Sequence, residues 1–322
     1  MVIGFEEIKK VLSGAVETIE KDGYLTPRRF TSDQLRHMAS DERWISRAKA
    51  AAGIMLDFYT DSTTLSFEAV LPANPCFFDV YVDGFMRYHS GKKSTASAAH
   101  SCFSYVFAPG KKRITVYFPC TACVSLGNLS VDDGALFVPH QKNRKLLFFG
   151  DSITQGYTTD FPSHTYVNAV ARRMDAEVLN LGIGGDVFNP EILQGFRKYD
   201  ADSIFAAYGT NDWNGGRNVK AVSGAFFDRL CEIYPDTRIY AMLPTWRADY
   251  AEREANGQNY PFEKMRREIR LSAAEHGNMS VIDCIDFIPH FPEFFADGYL
   301  HPNDLGFTFL AENLVKAIEA GV

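Results

Sequence analysis

The spacing of apolar and polar positions changes twice along the chain. Near the start Phe5, Ile8, Leu12, Val16 and Ile19 recur at helical spacing, with Glu6, Glu7, Lys9, Lys10, Glu17 and Glu20 between them. That pattern predicts an amphipathic helix ended by Gly23. A second helix is expected over residues 33–49, capped by Thr31 or Ser32, so residues 1–50 read as a helical segment. From Gly53 the period falls to two. Ile54, Leu56 and Phe58 alternate with other positions, as do Leu65, Phe67 and Ala69, with a turn at Asp61-Ser62. Phe78, Val80 and Val82 run into Asp83-Gly84, a hairpin signal, and residues 85–88 return. Further strands are expected at 102–107, 113–118, 124–131 and 135–138, separated by polar or Gly/Pro-containing turns. Seven or so short strands with no helix between them predict a β-sandwich of about a hundred residues, over 51–140.

After Pro139 the pattern changes again. Residues 141–144 form a polar linker, and strand and helix patterns then alternate. Strands are expected at 145–149, 177–181, 203–208, 238–243 and 280–285. Helices are expected at 163–174, 190–197, 219–233, 261–276 and 305–320. In the last of these Leu310, Leu314 and Ile318 share one face. This is the grammar of an α/β domain over 145–322, a doubly wound parallel sheet with flavodoxin-like order. No internal repeat or low-complexity segment interrupts it.

Composition narrows the function classes. The 322 residues are 46% apolar and 23% charged, as in a soluble globular protein. The net charge of −7 and the lack of a basic block argue against a nucleic-acid partner. No apolar run is long enough to span a bilayer. The N-terminal pattern lacks the uninterrupted apolar centre of a secretory signal, so the expected location is cytoplasmic. There the six cysteines, Cys76, Cys102, Cys120, Cys123, Cys231 and Cys284, should be reduced. Cys120 and Cys123 have C-x-x-C spacing but no accompanying Cys or His pair, which favours a structural role. No His/Asp/Glu group has metal spacing, and Gly182 to Gly185 is not G-x-G-x-x-G. Neither a metal nor any other cofactor is therefore expected. Oligomeric state is not legible.

The candidate chemistry lies where strands of the second half end. The apolar run 145–149 stops in Gly150-Asp151-Ser152. The next strands are followed by Gly184-Gly185-Asp186 and by Gly209-Thr210-Asn211-Asp212, and the last, past a loop, by Asp297-Gly298-Tyr299-Leu300-His301-Pro302. In a parallel sheet these blocks share one edge. They bring together a hydroxyl, an imidazole and amide donors, the set that acyl transfer needs. Each block also has a bland reading: Asp151 and Ser152 as a helix cap, Gly184-Gly185 as a tight turn, Asn211 as a cap, His301-Pro302 as a surface turn. Trp213 and Trp246 fall on the same rim, where an aromatic can stack on a sugar or flat acyl group or simply close a core edge. His164, at the start of a helix, reads as a solvated or capping histidine.

Taken jointly, the four blocks resemble those of the SGNH hydrolases, the GDSL esterase/lipase family. The resemblance implies Ser152 as nucleophile and His301 as general base. It implies an oxyanion hole of the Ser152 and Gly185 N–H groups and the Asn211 side-chain amide. The family's acid usually lies three residues before the histidine; here Asp297 lies four before, with Glu293 and Asp304 the nearest other carboxylates. The acid is therefore Asp297, or the enzyme works as a Ser–His dyad with a backbone carbonyl. The preceding β region is similar to the jelly-roll-like domain of carbohydrate esterase family two acetylesterases. The implied activity is a serine esterase releasing short acyl groups, acetyl above all, from carbohydrates, with a small-molecule or oligosaccharide ester as partner. The alternatives are a lysophospholipase or thioesterase of the same family, and a carbohydrate-binding protein with an inactive hydrolase domain.

Overall fold

The computed structural model describes residues 1–38, 42–93, 97–193, 199–258 and 260–321. The chain opens with α1 (Phe5–Val11), followed by β1 (Leu12–Ser13), β2 (Glu17–Lys21), β3 (Tyr24–Arg28), α2 (Ser32–His37) and α3 (Glu42–Ala48). Eight more strands follow: β4 (Met55–Thr60), β5 (Thr64–Leu71), β6 (Cys76–Val82), β7 (Phe85–Lys92), β8 (Ala99–Val106), β9 (Lys112–Tyr117), β10 (Ser125–Val131) and β11 (Val138–Pro139). They form two antiparallel sheets, one ordered β1-β4-β9-β6-β7 with β11 beside β4, the other β2-β3-β10-β5-β8. The inward faces of both meet in one core that includes Leu56, Phe58, Phe67, Phe78, Ile114 and Val116.

The expected helix up to Gly23 is therefore replaced after Val11 by three strands that complete the sandwich. The helical spacing of Val16 and Ile19 is coincidental. Asp22 and Gly23 both have positive φ, 51° and 79°, and join β2 to β3 in a two-residue hairpin. That is the geometry of Asp83-Gly84, with φ of 49° and 83°, which the sequence reading did recognise. Gly14, inside the apparent helix, has φ +80° and lies too close to the Gly53 carbonyl for a side chain. The single helix expected over 33–49 is two, α2 and α3; residues 39–41 lie outside the described residues. Thr31 caps α2 in a reciprocal box with Gln34.

The second half contains β12 (Arg144–Gly150), β13 (Ala176–Gly182), β14 (Ser203–Ala207), β15 (Arg238–Leu243) and β16 (Met279–Asp283), all parallel, in the order β13-β12-β14-β15-β16. This is the flavodoxin-like arrangement. The helices are α4 (Ser152–Gln155), α5 (Tyr166–Met174), α6 (Thr210–Asn214), α7 (Val219–Ile233), α8 (Tyr250–Ala255), α9 (Phe262–Ala273) and α10 (Asp304–Glu319). The helix expected at 190–197 is a short 3-10 turn, Pro190–Leu193, and its remainder lies outside the described residues. Separate cores cover the two sheet faces: α7 and α9 pack on one, α5 and α10 on the other. Among the described residues no helix is long and apolar enough to cross a membrane.

The outer edge of the parallel sheet, β13, does not face solvent, because the N-terminal segment covers it. Arg29 is 1% exposed. Its guanidinium donates to the carbonyls of Asn180 (2.5 Å) and Gly182 (2.9 Å) on β13, and to those of Ala50 (2.7 Å) and Arg47 (2.9 Å). Carbonyls two residues apart point to the same side of a strand, so one planar fork caps both. Burial holds the Arg29 pKa down, to about 9. The four carbonyls offset that desolvation. Replacing Arg29 with Met strands buried acceptors at about 1–3 kcal/mol each. The Arg29→Met protein should therefore lose at least about 3 kcal/mol of unfolding free energy in urea. A loss below about 0.5 kcal/mol, the range of an ordinary surface substitution, would contradict this account of the junction.

Candidate active site

Ser152 opens α4 immediately after β12. Asp151 before it caps that helix by accepting from the Ile153 N–H at 2.9 Å. The capping reading holds for Asp151, and the cap fixes the turn that presents the Ser152 hydroxyl. Ser152 Oγ lies 2.8 Å from His301 Nε2, and His301 Nδ1 lies 2.7 Å from Asp297 Oδ2. With a carboxylate on Nδ1, that nitrogen carries the proton and Nε2 is left to accept from the serine.

The extra residue between Asp297 and His301 widens the turn without misplacing the acid. Gly298 takes φ +81°. Asp297 Oδ1 accepts from three successive backbone N–H groups, Tyr299 (3.1 Å), Leu300 (2.8 Å) and His301 (3.1 Å). Its other oxygen is left for the imidazole. Partial burial raises the Asp297 pKa, but the Leu300 N–H, the His301 side chain and the remaining donors outweigh it and hold the carboxyl below its ordinary value. Asp304 is engaged by Thr159, and the Glu293 main-chain carbonyl accepts from the Asn303 amide; neither carboxylate meets His301 among the described residues.

Gly185 and Asn211 follow β13 and β14, next to the end of β12. Asn211 Nδ2 spends one hydrogen on the Asp186 carbonyl at 2.9 Å, and the other has no acceptor among the described residues. The N–H groups of Ser152 and Gly185 have no acceptor among the described residues. Three donors on three adjacent loops are thus available beside the serine.

Two expectations need correction or refinement. Trp213 is 0% exposed. Its indole donates to the Tyr260 carbonyl and it packs against Phe262 and the guanidinium groups of Arg247 and Arg253, so it is a core residue and cannot meet a substrate. Trp246 is partly buried, stacked on His290 at 4.9 Å and tilted against Phe295. It supports the loop that leads to His301, and no contact places it against the serine. His164 stacks on Phe161, with Nδ1 3.5 Å from Asp304. Cys120 is buried and unpaired, and burial raises its thiol pKa.

Sequence reasoning missed three neighbours of the site. The Tyr157 ring lies 5.5 Å from the His301 ring. Gln155 accepts from the Gly184 N–H, and Arg47, from the distant N-terminal segment, donates to the Gly184 carbonyl. Only Gln155 and Tyr157, by their closeness to Ser152 in the chain, carried any signal. A cleft of about 750 Å³ runs along this side, lined by Ser46, Arg47, Asn74, Thr121, Tyr157 and Asp160 among others. Of its described lining residues all but Pro75 carry a hydroxyl, an amide or a charge, and the carbon of their side chains makes up somewhat more of the wall than their polar atoms.

Residues 148–308 match the sequence profile of the GDSL-like Lipase/Acylhydrolase family. No curated protein sequence matches the chain. Among solved structures, the chain is similar to the salicylyl-acyltransferase SsfX3 from a tetracycline biosynthetic pathway, with 21% identity, 96% of this chain and 94% of that chain covered, and a TM-score of 0.82. It is also similar to the family two carbohydrate esterase from Cellvibrio japonicus, with 16% identity, 98% and 96% covered, and a TM-score of 0.67. The family two carbohydrate esterase from Clostridium thermocellum, solved with cellohexaose, gives 15% identity, 84% and 93% covered, and a TM-score of 0.66. At these identities the likeness establishes a common fold spanning both halves of the chain.

Three buried carboxyls lie behind the site. Burial pushes Asp151 up to about 7 and Asp186 up to about 8, and raises Asp212. Asp186 accepts from the Val187 N–H at 2.9 Å and from the Tyr208 hydroxyl at 3.3 Å. An acid whose pKa is raised by folding contributes stability below its unfolded value of 3.8, and loses it as pH rises through the folded value of about 8. The melting temperature should therefore fall between about pH 4 and pH 8 by an increment that Asp186→Asn removes, because the amide never ionises. An alkaline fall of the same size in Asp186→Asn would show that Asp186 is not its source.

Proposed function

Because the chain belongs to the GDSL-like lipase/acylhydrolase family and is a carboxylic ester hydrolase, we propose that it removes short acyl groups, acetyl above all, from a carbohydrate alcohol by way of a Ser152 acyl-enzyme. The observation that carries this reading is the unbroken line Ser152 Oγ, His301 and Asp297, at 2.8 and 2.7 Å, beside three available donors.

In the proposed reaction Ser152 Oγ attacks the ester carbonyl as its proton passes to His301 Nε2. The carbonyl π pair moves onto oxygen, and the oxyanion meets the Ser152 and Gly185 N–H groups and the free hydrogen of Asn211 Nδ2. Asp297 stabilises the imidazolium. Collapse expels the alcohol, which takes the proton from Nε2. Water, deprotonated by the same nitrogen, then attacks the acyl-enzyme and releases the acid with Ser152 restored.

The hydroxyl, amide and charged groups among the residues lining the adjacent cleft support a hydroxyl-rich alcohol over a long alkyl chain. The family two carbohydrate esterases that share the fold support the same substrate class. A screen of acetylated mono- and oligosaccharides should release acetate, and a series of nitrophenyl esters should peak at the shortest acyl groups. A peak at long chains would assign a lysophospholipase-like or thioesterase activity instead. Acyl transfer to an added alcohol in preference to water would place the protein with acyltransferases such as SsfX3.

Asp297→Asn keeps the turn but removes the charge and favours the wrong imidazole tautomer. It should lower kcat by up to about four orders of magnitude, as loss of a triad aspartate does. A near-wild-type rate in Asp297→Asn, with His301→Ala inactive, would instead establish a dyad.

A further inference from the structure

On the reading of Gly185 as an oxyanion donor, we propose that Arg47, from outside the α/β domain, and Gln155, from α4 within it, are positioning residues that hold the two Gly184 peptide planes and aim the Gly185 N–H at the carbonyl under attack.

The two peptide units flanking the Gly184 Cα are each fixed by a side chain. On the first, the Gly184 N–H donates to Gln155 Oε1 at 2.7 Å. On the second, the Gly184 carbonyl accepts from Arg47 Nη1 at 2.5 Å. A planar trans peptide points its C=O and N–H in opposite directions. Arg47 on the Gly184 oxygen therefore directs the Gly185 N–H away from itself, to the other side of the loop. A charged donor on that oxygen also polarises the amide and makes its N–H a stronger donor. Arg47 lies directly on the loop: a Cβ at Gly185 would come within 2.9 Å of Nη1, and one at Gly184 within 3.3 Å of the Arg47 Cδ. Among the described residues Arg47 has no carboxylate partner.

Both supports are themselves anchored in the N-terminal half. The Arg47 carbonyl, at the end of α3, is held by the buried Arg29 at 2.9 Å. Gln155, 1% exposed, donates its amide to the Cys120 carbonyl, in the loop between β9 and β10, at 3.0 Å. The sandwich and the N-terminal helices thus complete the oxyanion site without supplying a donor to it.

The test uses the full chain and 4-nitrophenyl acetate, an ester too small to fill the cleft. Wild type is compared with Arg47→Met, Arg47→Lys, Asn211→Ala and Ser152→Ala, each checked by its melting curve. Removing a whole oxyanion donor costs on the order of 10²–10³ in kcat, so misaiming one should cost about tenfold or more. Arg47→Met should show that fall in kcat with KM within about twofold, since an interaction made in the transition state is lost. Arg47→Lys should lie between it and wild type, and added guanidinium ion should restore part of the Arg47→Met rate without speeding wild type. A wild-type kcat in folded Arg47→Met, with Asn211→Ala slowed and Ser152→Ala inactive, would overturn the positioning role and leave the oxyanion reading intact. An effect on KM alone would make Arg47 a substrate contact and also overturn it. Should Asn211→Ala or Ser152→Ala match wild type, the underlying reading itself fails. If Arg47→Met does not fold, Arg47→Lys decides: a wild-type kcat there counts against the proposal, and a fall at constant KM supports it.

Discussion

A guanidinium enclosed by four carbonyl oxygens ties the two halves of this protein together. Arg29 carries a full charge into a site with almost no solvent contact, which is tolerable only because every acceptor around it is an oriented backbone dipole. Two of those dipoles belong to the last residues of β13 and one to the end of α3. The same fork therefore closes an exposed sheet edge and sets the height of α3 above the loop that follows β13. An uncovered edge strand would invite pairing with other chains. Here its cover also reaches the site.

The site follows from the sheet. Parallel strands in register end together, so Gly150, Gly182 and Ala207 lie side by side and the loops after them converge. On that platform Asp151 caps α4, the cap directs the Ser152 hydroxyl to His301, and His301 arrives from the loop before α10. Asp297 is held by three backbone donors, which fix its carboxylate before the imidazole meets it. The network is built from short-range devices, a cap and a turn, on a scaffold that the core holds rigid.

The strands and helices of the second half were legible because their apolar runs are long and their polar blocks fall at strand ends. The catalytic candidates share that legibility: serine, asparagine and histidine are costly to explain as turns when they occur together. Asp297 was legible as a residue but not as a geometry, since only the wide turn around Gly298 brings a carboxylate four residues away onto the imidazole. The N-terminal strands were misread because five apolar residues mimic a helix, while Gly14 and Asp22-Gly23 carried the contrary signal. Trp213 was misplaced because a loop position next to a site says nothing of which way the ring turns. Arg47 had no local signal at all: it lies 137 residues from the carbonyl it bonds.

The central claim is that Ser152 is a nucleophile activated by His301. The most direct measurement is covalent labelling of the intact protein with a fluorophosphonate probe, followed by peptide mapping. The account predicts one adduct, on Ser152, whose formation is lost in Ser152→Ala and slowed in His301→Ala while both proteins stay folded. Labelling at another residue, or undiminished labelling of folded Ser152→Ala, would contradict it.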